Sequence, residues 1–551
     1  MRRVLLALAA MVLAGSALAQ TPAGPAPAPP PQGREDALDP SPINPATDPD
    51  VDQFINDWRN AAPRSMFGGL VVHDIFSPLQ GTDPMRPATR GGLLREMTAI
   101  SYATLDPGAV AAGRVAPGER HSIYTTGGAG TITVGGKAYP LKDGASFVLR
   151  PTFDFRIAAE AGKPLTFYIR SDAKLPDPRA GEAFAVTNRF EGDRRVGIHW
   201  SHIQSGGPPG MLLITLAPNT MPHPHSHSNE EVWLMVKGET LLSIGKNLRT
   251  MKAGQAVRIP PTGMTAHSNI NLSGEPVQMI VMIASGGASP RDYAQLDRAA
   301  LDPAKHPDAG MYIGGWKETL PRIMHGNMYF RDMLTGLQGP DPLHPTRKGA
   351  VLTKATAVSY AQLEPGATAH PVAGQLDGIQ QTFVVQSGTG VISVGDTRGV
   401  LAKGVTFVLS PDYDFKVTAT GDTYMNFYVV SEKRGGEPRT GRYFVDNRAK
   451  PTVANSWVNQ ERELIGKAEG EVQFRAVSAT MPARSMSRPH SVAPGREEIW
   501  IATEGEVDLL LGKQLFKLPA GTAFAVPPSG LTAQAKLNLT DRPASFLYFA
   551  D

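Results

Sequence analysis

The stretch that decides the fold is MPHPHSHSNEEVWLMVKGE, residues 221–239. His223, His225 and His227 alternate with other residues, so in an extended chain all three side chains point to one face. Glu231 follows His227 by four residues, and Gly238 ends the alternating segment. The pattern predicts a β-strand region that presents imidazole and carboxylate groups together.

A second stretch, AGQAVRIPPTGMTAHSNIN at residues 253–271, carries another histidine, His267. It reads as a glycine turn, a short strand, a Pro-Pro turn and a further strand. A small β-barrel would return the chain beside its first strand at this point. We therefore expect His267 to lie close to the first group of histidines.

The two stretches resemble the two motifs of the cupin superfamily. The first motif has the form HxH, three or four residues, Glu, six residues and Gly, and it is matched by His225, His227, Glu231 and Gly238. The second motif is matched, with one extra residue before the proline and one before the histidine, by Gly254, Pro261, Gly263, His267 and Asn271. The resemblance implies a small β-barrel in which His225, His227, Glu231 and His267 hold one divalent metal ion.

This ligand set is chemically reasonable. Three neutral imidazoles and one carboxylate suit Mn, Fe, Ni, Cu, Co or Zn, and four protein ligands on an octahedral ion leave two positions open. The centre keeps a net positive charge, which favours a small anionic or enolate-like ligand. The alternative is a histidine-rich surface loop that binds metal adventitiously. The spacing of Glu231, Gly238 and His267 argues against that alternative.

Neighbouring residues are expected to support the ligands or to line the cavity. Trp233 and Met235 share the strand face of Glu231 and should keep the cavity apolar. His223 does not fit the motif spacing and is interpreted as a rim residue, with a supporting or proton-relay role as the alternative. Asn271 is the last motif residue and is placed in the same group. Glu230 should face away from the metal, and the apolar residues beside it indicate that a second barrel or subunit covers that face.

Comparison of the chain with itself reveals a long repeat. Its matched segments are SYA at 101–103 and 359–361, FVL at 147–149 and 407–409, and EEVW at 230–233 with EEIW at 497–500. The units run from roughly 65 to 300 and from 325 to 551. Each unit splits into two halves with strands and Gly or Pro turns every 8 to 12 residues, which is typical of small barrels. The sequence predicts an all-β protein of four cupin-type (double-stranded β-helix, jelly-roll) barrels in two bicupin repeats.

The N-terminus reads as an export signal. MRR at 1–3 is followed by an apolar run at 4–13 and by ALA at 17–19, which predicts a signal peptide over 1–19 and a periplasmic or secreted protein without a membrane anchor after cleavage. A Pro-rich linker with one short amphipathic helix around Phe54, Ile55 and Trp58 is expected over 20–62. The predicted barrels cover 63–180, 181–300, 301–435 and 436–551.

The other three barrels lack the complete motif. In the fourth barrel His490 and Glu498 remain, but Gln534 stands in the place of His267, which makes a tight metal site there doubtful. The first and third barrels have His121 and Gln381 at the glutamate position and are expected to be metal-free. The prediction is one metal ion per chain, bound by the second barrel.

Composition narrows the function further. The chain has 551 residues, a net charge of +3 and no cysteine, so disulfides, thiolate ligands and cysteine nucleophiles are excluded. No stretch concentrates basic residues, which makes nucleic acid a poor partner. We expect a small-molecule substrate and a monomer or homodimer. Two functions stay open: a dioxygenase, decarboxylase or related lyase, and a non-catalytic small-molecule binding protein.

Overall fold

The structure is a computed structural model. It describes residues 41–173, 183–187, 211–222, 224, 226, 229–261, 265–284, 307–455, 457–512, 514–530 and 532–551, and the backbone alone at 194–195 and 198–202. The predicted signal peptide and residues 20–40 of the Pro-rich linker lie outside these residues. No helix in the described part of the chain has the length and apolarity that crossing a membrane requires.

Strands account for most of the ordered backbone in the first half of the chain. In chain order they are β1 (Ile55–Asp57), β2 (Pro63–Met66), β3 (Leu70–Pro78), β4 (Gly92–Leu94), β5 (Met97–Leu105), β6 (Val110–Arg114), β7 (Glu119–Gly127), β8 (Ala129–Val134), β9 (Lys137–Lys142), β10 (Ser146–Leu149), β11 (Asp154–Ala159), β12 (Leu165–Ala173), β13 (Val186–Thr187), β14 (Arg194–Arg195), β15 (Ile198–His202), β16 (Met211–Leu216), β17 (Glu231–Lys237), β18 (Glu239–Ile244), β19 (Asn247–Lys252), β20 (Gln255–Arg258), β21 (His267–Ile270) and β22 (Val277–Ile283).

The second half follows the same plan, with one short α-helix, α1 (Lys467–Gly470). Its strands are β23 (Ile313–Gly315), β24 (Arg322–Met324), β25 (Met328–Gly336), β26 (Ala350–Leu352), β27 (Ala355–Leu363), β28 (Thr368–Ala369), β29 (Ile379–Ser387), β30 (Gly390–Val394), β31 (Thr397–Leu401), β32 (Thr406–Leu409), β33 (Phe415–Ala419), β34 (Met425–Lys433), β35 (Phe444–Val445), β36 (Val453–Asn455), β37 (Asn459–Ile465), β38 (Arg475–Met481), β39 (Ser485–Met486), β40 (Glu498–Glu504), β41 (Glu506–Leu511), β42 (Gln514–Pro519), β43 (Thr522–Ala525), β44 (Gln534–Asn538) and β45 (Ala544–Ala550).

Each barrel combines a large sheet with a small one. Barrel 1 joins the sheet β13-β10-β7-β12-β5-β3-β2, to which β4 is added, with β6-β11-β8-β9. Barrel 2 joins β1-β20-β17-β22-β16-β15-β14 with β19-β18-β21. Barrel 3 joins β24-β25-β27-β34-β29-β32-β35, to which β26 is added, with β28-β33-β30-β31. Barrel 4 joins β23-β43-β40-β45-β38-β37-β36 with β39-β44-β41-β42. The predicted all-β fold is confirmed, and the eight sheets of the described residues fall into four such pairs.

The segment ahead of barrel 1 belongs to the sheet of barrel 2. Instead of the single amphipathic helix expected around Phe54, Ile55 and Trp58, the chain forms a 3-10 helix at Val51–Phe54, strand β1 and a second 3-10 helix at Trp58–Asn60. The side chains of the capping residues Asp50 and Asp57 accept hydrogen bonds from backbone N–H groups two residues on, which favours short turns. Between these turns β1 pairs with β20, so tertiary pairing overrides the helical pattern. In the same way β23 pairs with β43 of barrel 4.

One hydrophobic cluster contains residues of both barrel 1 and barrel 2. The outward-facing Val232 and Leu234 of β17 are fully buried in a cluster that includes Phe76 and Ile100 of barrel 1. The prediction that a second barrel covers this face is confirmed. Glu230, which faces the same way, is 2% exposed and accepts hydrogen bonds from the backbone N–H groups that begin β5.

Barrels 2 and 4 also contact each other, through their small sheets. Ser243 of β18 lies 3.3 Å, Oγ to Sδ, from Met486 of β39. The surrounding buried cluster contains Met221, Leu248, Ile270, Met486, Leu510, Ala535 and Leu537. The two barrels that carry the complete and the partial motif are therefore packed side by side.

Candidate metal centre

Strand β17 positions the carboxylate of the candidate centre. Glu231, Trp233 and Met235 alternate along one face of the strand, and all three are buried. The indole Nε1 of Trp233 donates a hydrogen bond of 2.5 Å to Glu231 Oε1. Met235 lies opposite Met279 of β22. The carboxylate is thus held in a fixed direction, with the apolar Met235 on the same strand face.

Strand β21 brings His267 to the same place. Its side chain is fully buried, and its ring lies edge-on to that of Trp233, with 5.1 Å between the ring centroids. His267 Nδ1 is 3.0 Å from the carbonyl oxygen of Thr265. A carbonyl can only accept, so Nδ1 carries the proton and the lone pair of the neutral ring lies on Nε2. This is the tautomer that a metal ligand requires.

The two candidate ligands converge. His267 Nε2 lies 3.9 Å from Glu231 Oε2. Two donor atoms that share one ion, each about 2.0–2.2 Å away, can be at most about 4.4 Å apart, so this pair fits a common divalent metal. Two other predicted ligands, His225 and His227, lie outside the described residues. Within the described residues no group of three or more His, Asp or Glu side chains is arranged to hold a metal ion.

The glycines of the two motifs have packing roles. Gly238 follows β17 with a φ of +84°, and a Cβ atom there would lie 2.8 Å from Val277 Cγ1. Gly254 precedes β20 with a φ of +94°, and a Cβ atom would lie 2.8 Å from the indole Nε1 of Trp58. Both positions combine a left-handed backbone with a close neighbour, which only glycine accommodates without strain. They fix the turns on which β17 and β20 depend.

Asn271 has a structural role. Its side-chain amide donates hydrogen bonds to the carbonyl oxygens of Leu216 and Glu275, at 3.1 and 2.9 Å, and its Oδ1 accepts from Ser273. These contacts tie the loop after β16 to the turn after β21, in place of the supporting or cavity-lining role predicted for Asn271. His223, placed in the same group, lies outside the described residues.

Sequence reasoning missed Asn269. It lies two residues after His267 on β21 and therefore on the same face. Asn269 is 2% exposed, its Nδ2 is 3.0 Å from Met279 Sδ, and its Oδ1 has no hydrogen-bond partner among the described residues. The alternation along the strand was the signal that could have identified it. Asn269 adds a polar group beside the two converging ligands.

Barrel 4 has the same tryptophan–glutamate hydrogen bond as this centre, with different residues beside the glutamate. Trp500 Nε1 donates to Glu498 Oε1 at 2.5 Å, as Trp233 does to Glu231. Gln534 Nε2 lies 3.1 Å from Glu498 Oε1 and 2.8 Å from His490 Nε2. His490, Glu498 and Gln534, the residues of the predicted degenerate site, are therefore brought together and bond to one another.

The corresponding positions of barrels 1 and 3 hold buried polar contacts. His121 Nδ1 lies 2.8 Å from Ser171 Oγ, and burial lowers the pKa of His121 to about 4. Gln381 donates to Ser431 Oγ at 3.0 Å, and its Oε1 lies 2.7 Å from His325 Nε2. Each polar side chain is satisfied by a neighbour on an adjacent strand or loop, which is a structural role.

Comparison with known proteins identifies one domain. Residues 212–283 match the family model of the cupin domain, a segment that contains His225, His227, Glu231 and His267. No curated protein gives a significant match to the chain. Similar solved structures include Bacillus subtilis oxalate decarboxylase at pH 4.6, with 11% identity over 45% of this chain and 78% of that chain and a TM-score of 0.36. Another is AerE from Microcystis aeruginosa, with 11% identity over 44% of this chain and 98% of that chain and a TM-score of 0.33.

Proposed function

From the cupin domain at residues 212–283 we propose that the protein is a metal-dependent enzyme acting on a small oxygen-rich or anionic metabolite. The observation that carries the proposal is the buried pair of Glu231 and His267, whose Oε2 and Nε2 atoms lie 3.9 Å apart inside barrel 2. A dioxygenase, a decarboxylase or a related lyase would use such a centre.

The proposed ligands are His225, His227, Glu231 and His267, and the ion is Mn, Fe, Ni, Cu, Co or Zn. A divalent ion in this set supplies Lewis acidity and a template on which substrate or dioxygen can bind. The positive charge of the site selects for anionic groups, because the apolar barrel wall screens charge poorly.

The residues of the chain prepare the site. Trp233 directs Glu231 through the hydrogen bond to Oε1, which leaves Oε2 for the metal side. The Thr265 carbonyl holds the His267 tautomer. Asn269 offers an amide oxygen to a donor group of the substrate, such as a hydroxyl. The buried Met235 places an apolar side chain on the strand face of Glu231.

The test is metal content per chain, measured on the purified protein and on a His225→Ala/His267→Ala variant. We expect about one tightly bound equivalent in the natural protein and none in the variant. His490→Ala, the matched change in barrel 4, should leave the metal content unchanged. Bound Fe or Cu would direct assays to oxygen uptake and bound Mn to decarboxylation. Absence of metal from the natural protein would overturn the proposal.

A non-catalytic small-molecule binding protein is the second candidate. Among the described side chains beside the Glu231–His267 pair, Trp233, Met235 and Asn269 are not general acids or bases. Ligand binding to the metal-loaded protein without turnover, across small carboxylic acids and sugars, would favour this candidate over the enzyme.

The proposal includes export to the periplasm or the medium and an origin by tandem duplication of a two-barrel unit. Export is supported by the signal-like sequence at 1–19 and duplication by the matched segments of the two halves. Mass spectrometry of the protein from the periplasmic fraction should give a mature N-terminus at Gln20. Recovery of the intact N-terminus from the cytoplasm alone would contradict export.

A further inference from the structure

The ligand positions of barrel 2 can be located in barrel 4 from strand pairing. Thr220 pairs with Asn271 in barrel 2, and Ser485 pairs with Asn538 in barrel 4. Each asparagine donates side-chain hydrogen bonds to the equivalent loop of its own barrel. This register aligns the sequence PHS at 224–226 with PHS at 489–491. His490 therefore corresponds to His225.

The remaining positions follow from the same register. Val492 takes the place of His227, Glu498 that of Glu231 and Gln534 that of His267. Two imidazole ligands are thus replaced, while the carboxylate and one histidine remain. One more difference lies outside both motifs, because a lysine, Lys536, stands where barrel 2 has Asn269.

Lys536 reaches the centre of this cluster. It lies two residues after Gln534 on β44, so it shares the inward face of that strand, and only 1% of it is exposed. Its Nζ donates a hydrogen bond of 3.1 Å to Gln534 Oε1 and lies 3.2 Å from the centroid of the Trp500 ring. Gln534 in turn donates to Glu498 Oε1. The amine is linked to the buried carboxylate through one amide.

A buried carboxylate without a cation is unstable in an apolar environment. In barrel 2 the proposed metal ion would supply the positive charge beside Glu231. In barrel 4 two groups attract Glu498 electrostatically: His490, whose Nε2 lies 3.4 Å from Glu498 Oε1 and which is a cation only when protonated, and the amine of Lys536. Lysine ammonium also stacks favourably on an indole face, which Trp500 provides.

We propose that the Lys536 ammonium is the resident cation of barrel 4 and takes the place of a metal ion there. Barrel 4 is then a site that excludes metal through its own charge rather than through a closed wall. A cavity of about 330 Å³, bordered by Val492, Glu498 and Tyr548 among others, adjoins the cluster. A metal ion therefore has space to approach Glu498, and the positive charge of Lys536 opposes it.

The test uses the full chain with the barrel 2 ligands removed, His225→Ala/His267→Ala, so that metal binding reports on barrel 4. The probe is Co²⁺, titrated at about pH 6, where the buried Lys536 amine still carries its proton, and followed by calorimetry and by visible absorption. In this background we expect Lys536→Asn, which restores the barrel 2 residue, to bind one Co²⁺ at least tenfold more tightly than the parent. Addition of Gln534→His should tighten binding further. Equal Co²⁺ affinity of the parent and both Lys536→Asn variants would overturn the proposal.

A second measurement covers the case in which Lys536→Asn fails to fold. Lys536→Met removes one positive charge that attracts Glu498, and Glu498→Gln removes the nearby carboxylate that attracts Lys536, whereas the double variant removes both charges. We expect the double variant to melt at a higher temperature than the less stable single variant. Strictly additive losses would overturn the proposal. Neither outcome depends on whether barrel 2 binds metal, so the two proposals fail independently.

Discussion

Barrels 2 and 4 have the same frame around different centres. In both, a tryptophan indole donates a hydrogen bond of 2.5 Å to Oε1 of the buried glutamate. The tryptophan is Trp233 in barrel 2 and Trp500 in barrel 4. In both, the preceding glutamate faces the companion barrel. The centres differ, because His267 is replaced by Gln534 in barrel 4. The tryptophan that orients the carboxylate is thus retained even where the residues beside the carboxylate have changed.

The largest expected effect is a loss of stability that differs between Glu230 and Glu497, the two glutamates that face the companion barrel. Glu230 accepts from the N–H groups of Arg95 and Met97 and faces the fully buried Arg258, with 3.4 Å between carboxylate and guanidinium. Glu230→Ala leaves this cation unpaired and should lower the free energy of unfolding by about 3–5 kcal/mol. Urea unfolding of the variant measures the loss.

The matched change in the other half is Glu497→Ala. Glu497 accepts from the N–H groups of Thr353 and Ala355 at 2.6 and 3.1 Å. Its loss leaves unpaired N–H groups but no buried arginine at the position of Arg258, so we expect a smaller effect of about 1–3 kcal/mol. Equal losses for the two variants would show that Arg258 is not dependent on Glu230.

The next effect concerns metal affinity. His267→Ala removes one of four proposed ligands and should weaken metal binding by more than about 100-fold, beyond the range typical of residues that only support a ligand. His490→Ala should change it by less than about twofold, because barrel 4 carries its own cation. Equilibrium dialysis of the metal found in the natural protein measures both. A similar loss in the two variants would remove the distinction between the barrels.

A pH-dependent effect is expected in barrel 4. Burial lowers the pKa of Lys536 from 10.5 to about 7, against the opposing attraction of Glu498 and Glu461. Between these two values the unfolded chain binds more protons than the folded one, so the contribution of Lys536 to stability rises as pH rises from 7 to about 10. His490 also lies beside this group, but it is present both in the natural protein and in the Lys536→Met variant used for the measurement.

The measurement is the free energy of unfolding of the natural protein minus that of Lys536→Met, taken at several pH values. The difference should rise by up to about 1.4 kcal/mol per pH unit above pH 7. A flat difference over this range would contradict the lowered pKa of the buried amine.

The smallest expected effect tests the shared frame. Trp233→Phe removes the hydrogen bond to Glu231 Oε1 and should weaken metal binding by about tenfold. Trp500→Phe, the matched variant, removes the equivalent bond in barrel 4 and should leave metal binding unchanged. Metal titration of both variants measures the difference, and an unchanged affinity in Trp233→Phe would show that the indole does not orient the ligand.

The sequence allowed prediction of the all-β fold, because strand alternation and turn residues recur along the whole chain. It also predicted that Glu231 and Trp233 share a face while Glu230 points away, since these follow from the two-residue period of a strand. The ligand roles of His225 and His227 remain predictions, because both residues lie outside the described part of the chain.

Other features could not be read from local patterns. Strand β1 is positioned by pairing with β20, about 200 residues away in the chain. The spacing of Phe54, Ile55 and Trp58 indicated a helix and did not indicate this pairing. Sequence analysis did not identify Lys536, because lysine is rarely buried and no motif marks its position. Asn271 matched a motif position but serves the turn, since a motif does not separate chemical from structural reasons for a residue.

The pairing of β1 with β20 has a consequence for how the chain can be divided. A cut near residue 60, or anywhere between the first two barrels, removes from barrel 2 an edge strand that the sequence supplies before barrel 1 begins. The same holds for β23 and barrel 4. Expression of barrel 2 or barrel 4 alone would expose the open edge of its large sheet, a surface prone to intermolecular pairing. The smallest piece suited to recombination or truncation is accordingly a whole two-barrel half, including the segment that precedes it.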